Sequence, residues 1–153
     1  MSGTDASVTL EDEAATRALG SAIAGALGTG DAVLLFGPLG AGKTVLARAI
    51  LHALGVSGRV PSPTFTLVQS YETSKLPVRH FDLYRVERES DLYELGLEDA
   101  MDEVAIIVEW PENAFGQLPD SALKVELHPS AGEARMARLS GGARWSEFLE
   151  QIR

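Results

Sequence analysis

Gly37-Pro38-Leu39-Gly40-Ala41-Gly42-Lys43-Thr44 is the stretch that decides the fold. It fits G-x-x-x-x-G-K-[ST], the phosphate-cradling P-loop pattern. Before it, Asp31 to Phe36 reads as a short buried strand. After it, Val45 to Leu54 reads as a helix, with Val45, Leu46, Ala49, Ile50, Ala53 and Leu54 at helical spacing and Gly55 as its stop. A glycine turn between a strand and a helix start is an anion site for a physical reason. The first backbone N–H groups of the helix lack partners within it, and the helix dipole adds positive potential there. Gly37, Gly40 and Gly42 let the chain wrap around phosphates, Lys43 supplies a point charge for the β- and γ-phosphates, and Thr44 supplies a hydroxyl for Mg²⁺.

Outward from the loop, the segment before it reads as a helix from Leu10 to Leu27, with Thr9 and Asp12 spaced like a capping box and residues 1–8 as a loose tail. After the P-loop helix, Gly55 to Pro61 is a polar linker. The segments Phe65 to Glu72 and Val78 to Arg85 then read as a β-hairpin turning at Thr73 to Pro77. Thr64, just ahead of it, stands either in a simple strand-initiating loop or where switch proteins place a γ-phosphate-sensing threonine. In the second strand His80, Asp82 and Tyr84 share one face. A carboxylate amid aromatic residues needs a cation or donors, so Asp82 either pairs with an arginine or borders a metal and water site. His80 reads as a packed, hydrogen-bonded histidine.

Glu89 to Leu95 reads as a short helix stopped by Gly96, and Leu97 to Met101 as a further turn or two. Val104 to Glu109 is an apolar β-branched run ending in an acid, the arrangement that delivers a carboxylate to a P-loop to hold Mg²⁺. Trp110-Pro111 ends that strand, with Trp110 either a core ring or a cover on the nucleotide site. Ala122 to His128 and Ala134 to Leu139 read as a second hairpin at a sheet edge, and Trp145 to Ile152 as a terminal helix.

Composition narrows the classes. The chain has 153 residues, enough for one domain with a proper core. No apolar run of membrane-spanning length occurs, the start lacks a signal-peptide pattern, and with no cysteine there is neither a disulfide nor a thiolate site. A cytoplasmic location is the default. The net charge of −9 argues against autonomous nucleic-acid binding, which leans on Lys and Arg against phosphate. Guanine-reading proteins carry Asn-Lys-x-Asp, and the single asparagine, Asn113, is followed by Ala114, so ATP is the expected nucleotide.

The P-loop, Ser62 to Val68, His80-Phe81-Asp82-Leu83-Tyr84-Arg85, Glu94-Leu95-Gly96-Leu97 and Glu109-Trp110-Pro111-Glu112 occur in that order. Together they resemble the bacterial TsaE family, formerly YjeE, over roughly residues 9 to 140. That resemblance implies a single α/β P-loop NTPase domain over residues 1–153, built on a mixed central sheet flanked by helices, with β-hairpins. It implies a Mg²⁺-dependent ATPase, weak alone and activated by its partners TsaD and TsaB, in the synthesis of threonylcarbamoyladenosine at tRNA position 37. The tRNA is then met only through the partners, and ATP turnover resets the complex. By motif, Gly37, Gly40, Ala41, Gly42, Lys43, Thr44 and Val45 would wrap the phosphates, and Thr44 and Glu109 would serve Mg²⁺. Thr64 would sense the γ-phosphate, Asp82 would sit by the metal or orient the attacking water, and Trp110 would lie beside the site. Thr9 to Glu11 would approach adenine. Pro38 and Pro61 stand where many relatives carry Asp and Lys; Pro38 removes a backbone N–H from the loop rim. A small-molecule P-loop kinase and a non-catalytic ATP-binding adaptor are the competing readings.

Overall fold

The computed structural model describes residues 4–61, Pro63 and 67–152. Seven strands form one sheet: β1 (Thr4–Leu10), β2 (Ala32–Phe36), β3 (Val68–Tyr71), β4 (Val78–Asp82), β5 (Ala105–Glu109), β6 (Leu123–Pro129) and β7 (Arg135–Gly141). Their spatial order is β1-β7-β6-β2-β5-β4-β3. The four central strands β6, β2, β5 and β4 run parallel, while β1, β7 and β3 are paired antiparallel. The helices are α1 (Glu13–Ala26), α2 (Lys43–Ala53), α3 (Glu89–Leu95), α4 (Leu97–Glu103) and α5 (Ser146–Ile152).

The two innermost strands, β2 and β5, are apolar throughout except for the terminal Glu109, because both faces of the sheet are covered there. Val33, Leu35, Ala105 and Ile107 point into a core shared with α1, α2 and α5. Ala32, Leu34, Ile106 and Val108 point into a second core with α3 and α4. On the first face α1 and α2 touch through Gly20, where an added Cβ would stand 2.5 Å from the Ala49 Cβ and 2.9 Å from the Ala49 backbone carbon.

Four expectations are corrected. Residues 4–8 are not a loose tail but most of β1, in register with β7 from Thr4 opposite Gly141 to Leu10 opposite Arg135. Ala6 and Leu10 are buried and Val8 is half-buried, between exposed Asp5, Ser7 and Thr9. This is a half-buried strand whose alternation is diluted by small side chains. α1 therefore begins at Glu13, not Leu10, and its cap is Asp12, whose Oδ1 accepts the Ala15 N–H at 2.9 Å. The β6–β7 hairpin forms but is not at an edge, since β6 joins β2 and β1 covers β7. Finally, β4 ends at Asp82 rather than Arg85. Asp82 Oδ1 accepts the Tyr84 N–H at 3.0 Å, a side-chain turn that takes Tyr84 out of the strand.

Candidate functional site

The parallel strands β2, β4 and β5 all end at the same side of the sheet, where open α/β sheets gather ligands. Leu35 and Asp82 are both register partners of Glu109. The loop after β2, the acid ending β4 and the acid ending β5 thus meet at one place. Alternation puts His80, Asp82 and Glu109 on the face that carries α2, and α2 opens with Lys43 and Thr44.

The loop's shape depends on its glycines. Gly37 has φ of 147°, and a Cβ there would lie 2.6 Å from the Leu127 carbonyl oxygen, which belongs to the neighbouring strand β6. Gly42 is the residue before α2, with φ of 101° and no side chain to cap the helix. The N–H groups of the first turn are therefore left to whatever anion the loop holds. Pro38 keeps a role in spite of its missing N–H, since its carbonyl accepts from Ala41 N at 3.1 Å and from Lys43 Nζ at 3.2 Å.

Lys43 is buried, at 6% exposure. Its Nζ donates to the Gly37 and Pro38 carbonyls and lies 3.7 Å from the centre of the Trp110 ring. Burial lowers its pKa from the ordinary lysine value, and the carboxylates of Glu109, Glu112 and Asp82 oppose that shift. Thr44 Oγ1 donates to Glu109 Oε1 at 2.8 Å, and His80 Nε2 lies 2.7 Å from Glu109 Oε2. Glu109, His80 and Asp82 are all buried. Trp110 stands next to Glu109 in the left-handed region, with φ of 57° and ψ of 50°, and its ring packs on Tyr84 at 4.9 Å.

These groups line a cavity of about 460 Å³, with Gly40, Lys43, Thr44, Asp82, Glu109 and Trp110 among its walls. A second cavity of about 310 Å³ opens on the other side of the loop, between Leu10, Asp12, Thr16 and Leu127. Both are bordered by Ala41, Gly42, Val45 and Arg135. Of the Thr9–Glu11 segment, Leu10 lines this second cavity beside the loop; Thr64 lies outside the described residues.

Two features escape sequence reasoning. Arg135 reaches across 94 positions of chain to donate from Nε to the Ala41 carbonyl at 3.0 Å, and so separates the two cavities. No motif surrounds it; only the pairing of β1, β7 and β6 carries it there. The bond between His80 and Glu109 is the second, because it needs the β4–β5 register that sets Asp82, on the same face as His80, opposite Glu109.

Among the described residues no group of three or more His, Cys, Asp or Glu side chains could hold a metal. A hydroxyl, Thr44, beside one or two carboxylates instead makes the hard, oxygen-only donor set that suits Mg²⁺ completed by phosphate and water. No helix among the described residues is long and apolar enough to cross a membrane.

A mixed sheet with a glycine-rich turn leading into α2, and a buried acid at the end of the adjacent strand, defines an α/β protein of the P-loop class. The model of the family described as "Threonylcarbamoyl adenosine biosynthesis protein TsaE" matches residues 10–137. The chain belongs to the TsaE family. It is 43% identical over 142 residues to the tRNA threonylcarbamoyladenosine biosynthesis protein TsaE of Rickettsia felis, covering 92% of this chain and 83% of the relative. Identity to the protein of the same name from Bacillus subtilis is 32% over 139 residues, covering 90% and 87%. The crystal structure of Bacillus subtilis YdiB shares the fold, with a TM-score of 0.82 at 24% identity, over 99% of this chain and 95% of that one.

Proposed function

We propose that this chain is the Mg²⁺-dependent ATPase subunit of the machinery that makes threonylcarbamoyladenosine at position 37 of tRNA, acting in the cytoplasm with TsaD and TsaB and resetting their complex between turnovers. The observation that carries the reading is the convergence of Lys43, Thr44 and Glu109 at the mouth of the P-loop, within a family named for that biosynthesis.

In this reading the N–H groups from Gly40 to Val45 cradle the phosphates, and Lys43 turns its ammonium to the β- and γ-oxygens. Thr44 and Glu109 would hold Mg²⁺, which would supply positive charge against the charge that builds on the phosphate. Asp82, on the same cavity wall, sits by the metal or accepts from and orients the attacking water. Thr64 senses the γ-phosphate. Trp110 covers the Lys43 side of the site, and the Leu10 cavity takes the adenine. The charge of −9 fits a subunit that leaves tRNA to its partners.

Phosphate release from ATP, measured for the chain alone and with a TsaB–TsaD pair, tests the reading. A rise with the partners that Lys43→Ala abolishes is expected. ATP binding and complex formation without that rise would favour the adaptor reading, and a phosphorylated acceptor in place of free phosphate would favour a kinase.

A further inference from the structure

We propose that His80 is the positioning residue of Glu109: it holds Oε2 of the carboxylate so that Oε1 faces Thr44 and the cation. The inference rests on the reading of Glu109 as a Mg²⁺ residue and adds a group to which that reading gives no role.

Three observations carry it. First, the two carboxylate oxygens of Glu109 are held from different elements, Oε1 by Thr44 on α2 at 2.8 Å and Oε2 by His80 on β4 at 2.7 Å. A carboxylate fixed at both oxygens cannot rotate about its last bond. If Thr44 turns its hydroxyl toward a cation, the Oε2 anchor is what keeps Oε1 aimed at the same point. Second, His80 is fully buried, and its other ring nitrogen, Nδ1, has no hydrogen-bond partner among the described residues. A carboxylate only accepts, so Nε2 carries a proton and donates it, while Nδ1 is left buried without a partner among the described residues. Filling space with an apolar side chain would avoid that orphaned atom. The imidazole therefore earns its place through Nε2. Third, His80 lies diagonally across from Glu109, two residues before its register partner Asp82. Longer side chains meet across parallel strands at such positions, and the sheet itself sets the separation. Hydrogen bonds that orient a metal ligand from behind commonly change metal affinity by about 10- to 100-fold when removed.

The test separates a donor at the Nε2 position from bulk and polarity. In His80→Gln the amide nitrogen falls near Nε2 and can reach Glu109; in His80→Asn it falls near Nδ1 and cannot. Affinity for ATP carrying an N-methylanthraniloyl fluorophore is measured with Mg²⁺ and with EDTA, for both variants and the unaltered chain. The expected result is that His80→Asn loses about ten-fold of the Mg²⁺-dependent gain in affinity, His80→Gln keeps most of it, and affinity in EDTA is alike in all three. In a Glu109→Ala background, His80→Asn should bring no further loss. His80→Leu, which fills the space with carbon, replaces the Asn variant if that one does not fold.

Equal gains for the Asn and Gln variants, or a further loss in the Glu109→Ala background, would overturn the positioning role while leaving the Mg²⁺–ATP reading intact. An unaltered chain that binds ATP no better with Mg²⁺ than with EDTA would overturn both.

Discussion

Trp110 is held in a backbone conformation that its side chain disfavours, and this gives a prediction in which the usual order of two substitutions reverses. With φ of 57° and ψ of 50° it lies in the left-handed helical region, which costs an L-residue with a Cβ about 1–2 kcal/mol. The ring offsets this through its contacts with Tyr84 at 4.9 Å and with the Lys43 ammonium at 3.7 Å. Trp110→Ala removes the contacts and keeps the strain. Trp110→Gly removes both. At an ordinary position glycine is less stable than alanine by about 0.5–1 kcal/mol, through the freedom it gains in the unfolded chain. At position 110 the strain relief exceeds that term, so the Gly variant should be the more stable of the two by up to about 1.5 kcal/mol. With a urea slope of about 2 kcal/mol/M, the unfolding midpoint of Trp110→Gly should lie up to about 0.75 M above that of Trp110→Ala. Exposed Glu94 in α3 serves as the control, where alanine should exceed glycine. An alanine variant equal to or more stable than the glycine variant at position 110 would refute the strain argument.

Other outcomes follow from the packing and the site. Gly20→Ala should destabilise the chain by about 1–3 kcal/mol, since the added methyl meets both the Cβ and the backbone of Ala49 and α1 must shift away from α2; thermal unfolding would read this as a fall of several degrees. Burial lowers the Lys43 pKa, so ATP affinity should fall as pH rises through that lowered value, below the range where an ordinary lysine loses its proton, whereas Lys43→Arg should show no such fall. The same shift makes the nucleotide-free chain gain stability as pH rises from the lowered value toward 10.5, because over that interval the unfolded chain still holds the proton the folded one has shed. Glu109→Ala should reduce Mg²⁺-dependent phosphate release more than nucleotide binding, and equal losses of the two would count against its place at the metal.

The parts legible in the sequence are those whose cause is local. The P-loop, the strand before it and the helix after it lie within about two dozen consecutive residues, and the acid ending β5 follows an uninterrupted apolar run. Gly96 marks the end of α3 because the chain there turns through φ of 72°, which suits glycine. What was not legible depends on partners distant in the chain. β1 is weakly patterned, with Ala6 and Ser7 at its centre, and it becomes a strand because β7 offers it an edge. Arg135 reads as one arginine among several until the β1–β7 register sets it opposite Leu10 and beside the loop. His80 was legible as a packed histidine, but its bond to Glu109 requires the β4–β5 register.

The charges around the loop bear on the proposed cofactor. Lys43 and Arg135 bring two positive charges to the cavity, while Asp82 and Glu109 line it and Glu112 lies close enough to act on Lys43. Two positive charges against three carboxylates leave no surplus to meet a nucleoside triphosphate. Unit charges about 4 Å apart interact by about 4 kcal/mol at an effective dielectric of 20, so nearby carboxylates repel phosphate strongly enough to offset much of what the loop's N–H groups supply. A divalent cation held between them would reverse the sign of that interaction, with the carboxylates as its ligands. On the proposed reading, the acids at the ends of β4 and β5 would make the site selective for the metal complex over the free nucleotide. Neutralising one of them should narrow the difference in affinity between ATP with Mg²⁺ and ATP with EDTA from both directions, weakening the first and strengthening the second. Glu109→Gln is the variant that tests this, and a change in only the metal-bound affinity would mean that Glu109 acts as a ligand without acting as a repulsive charge.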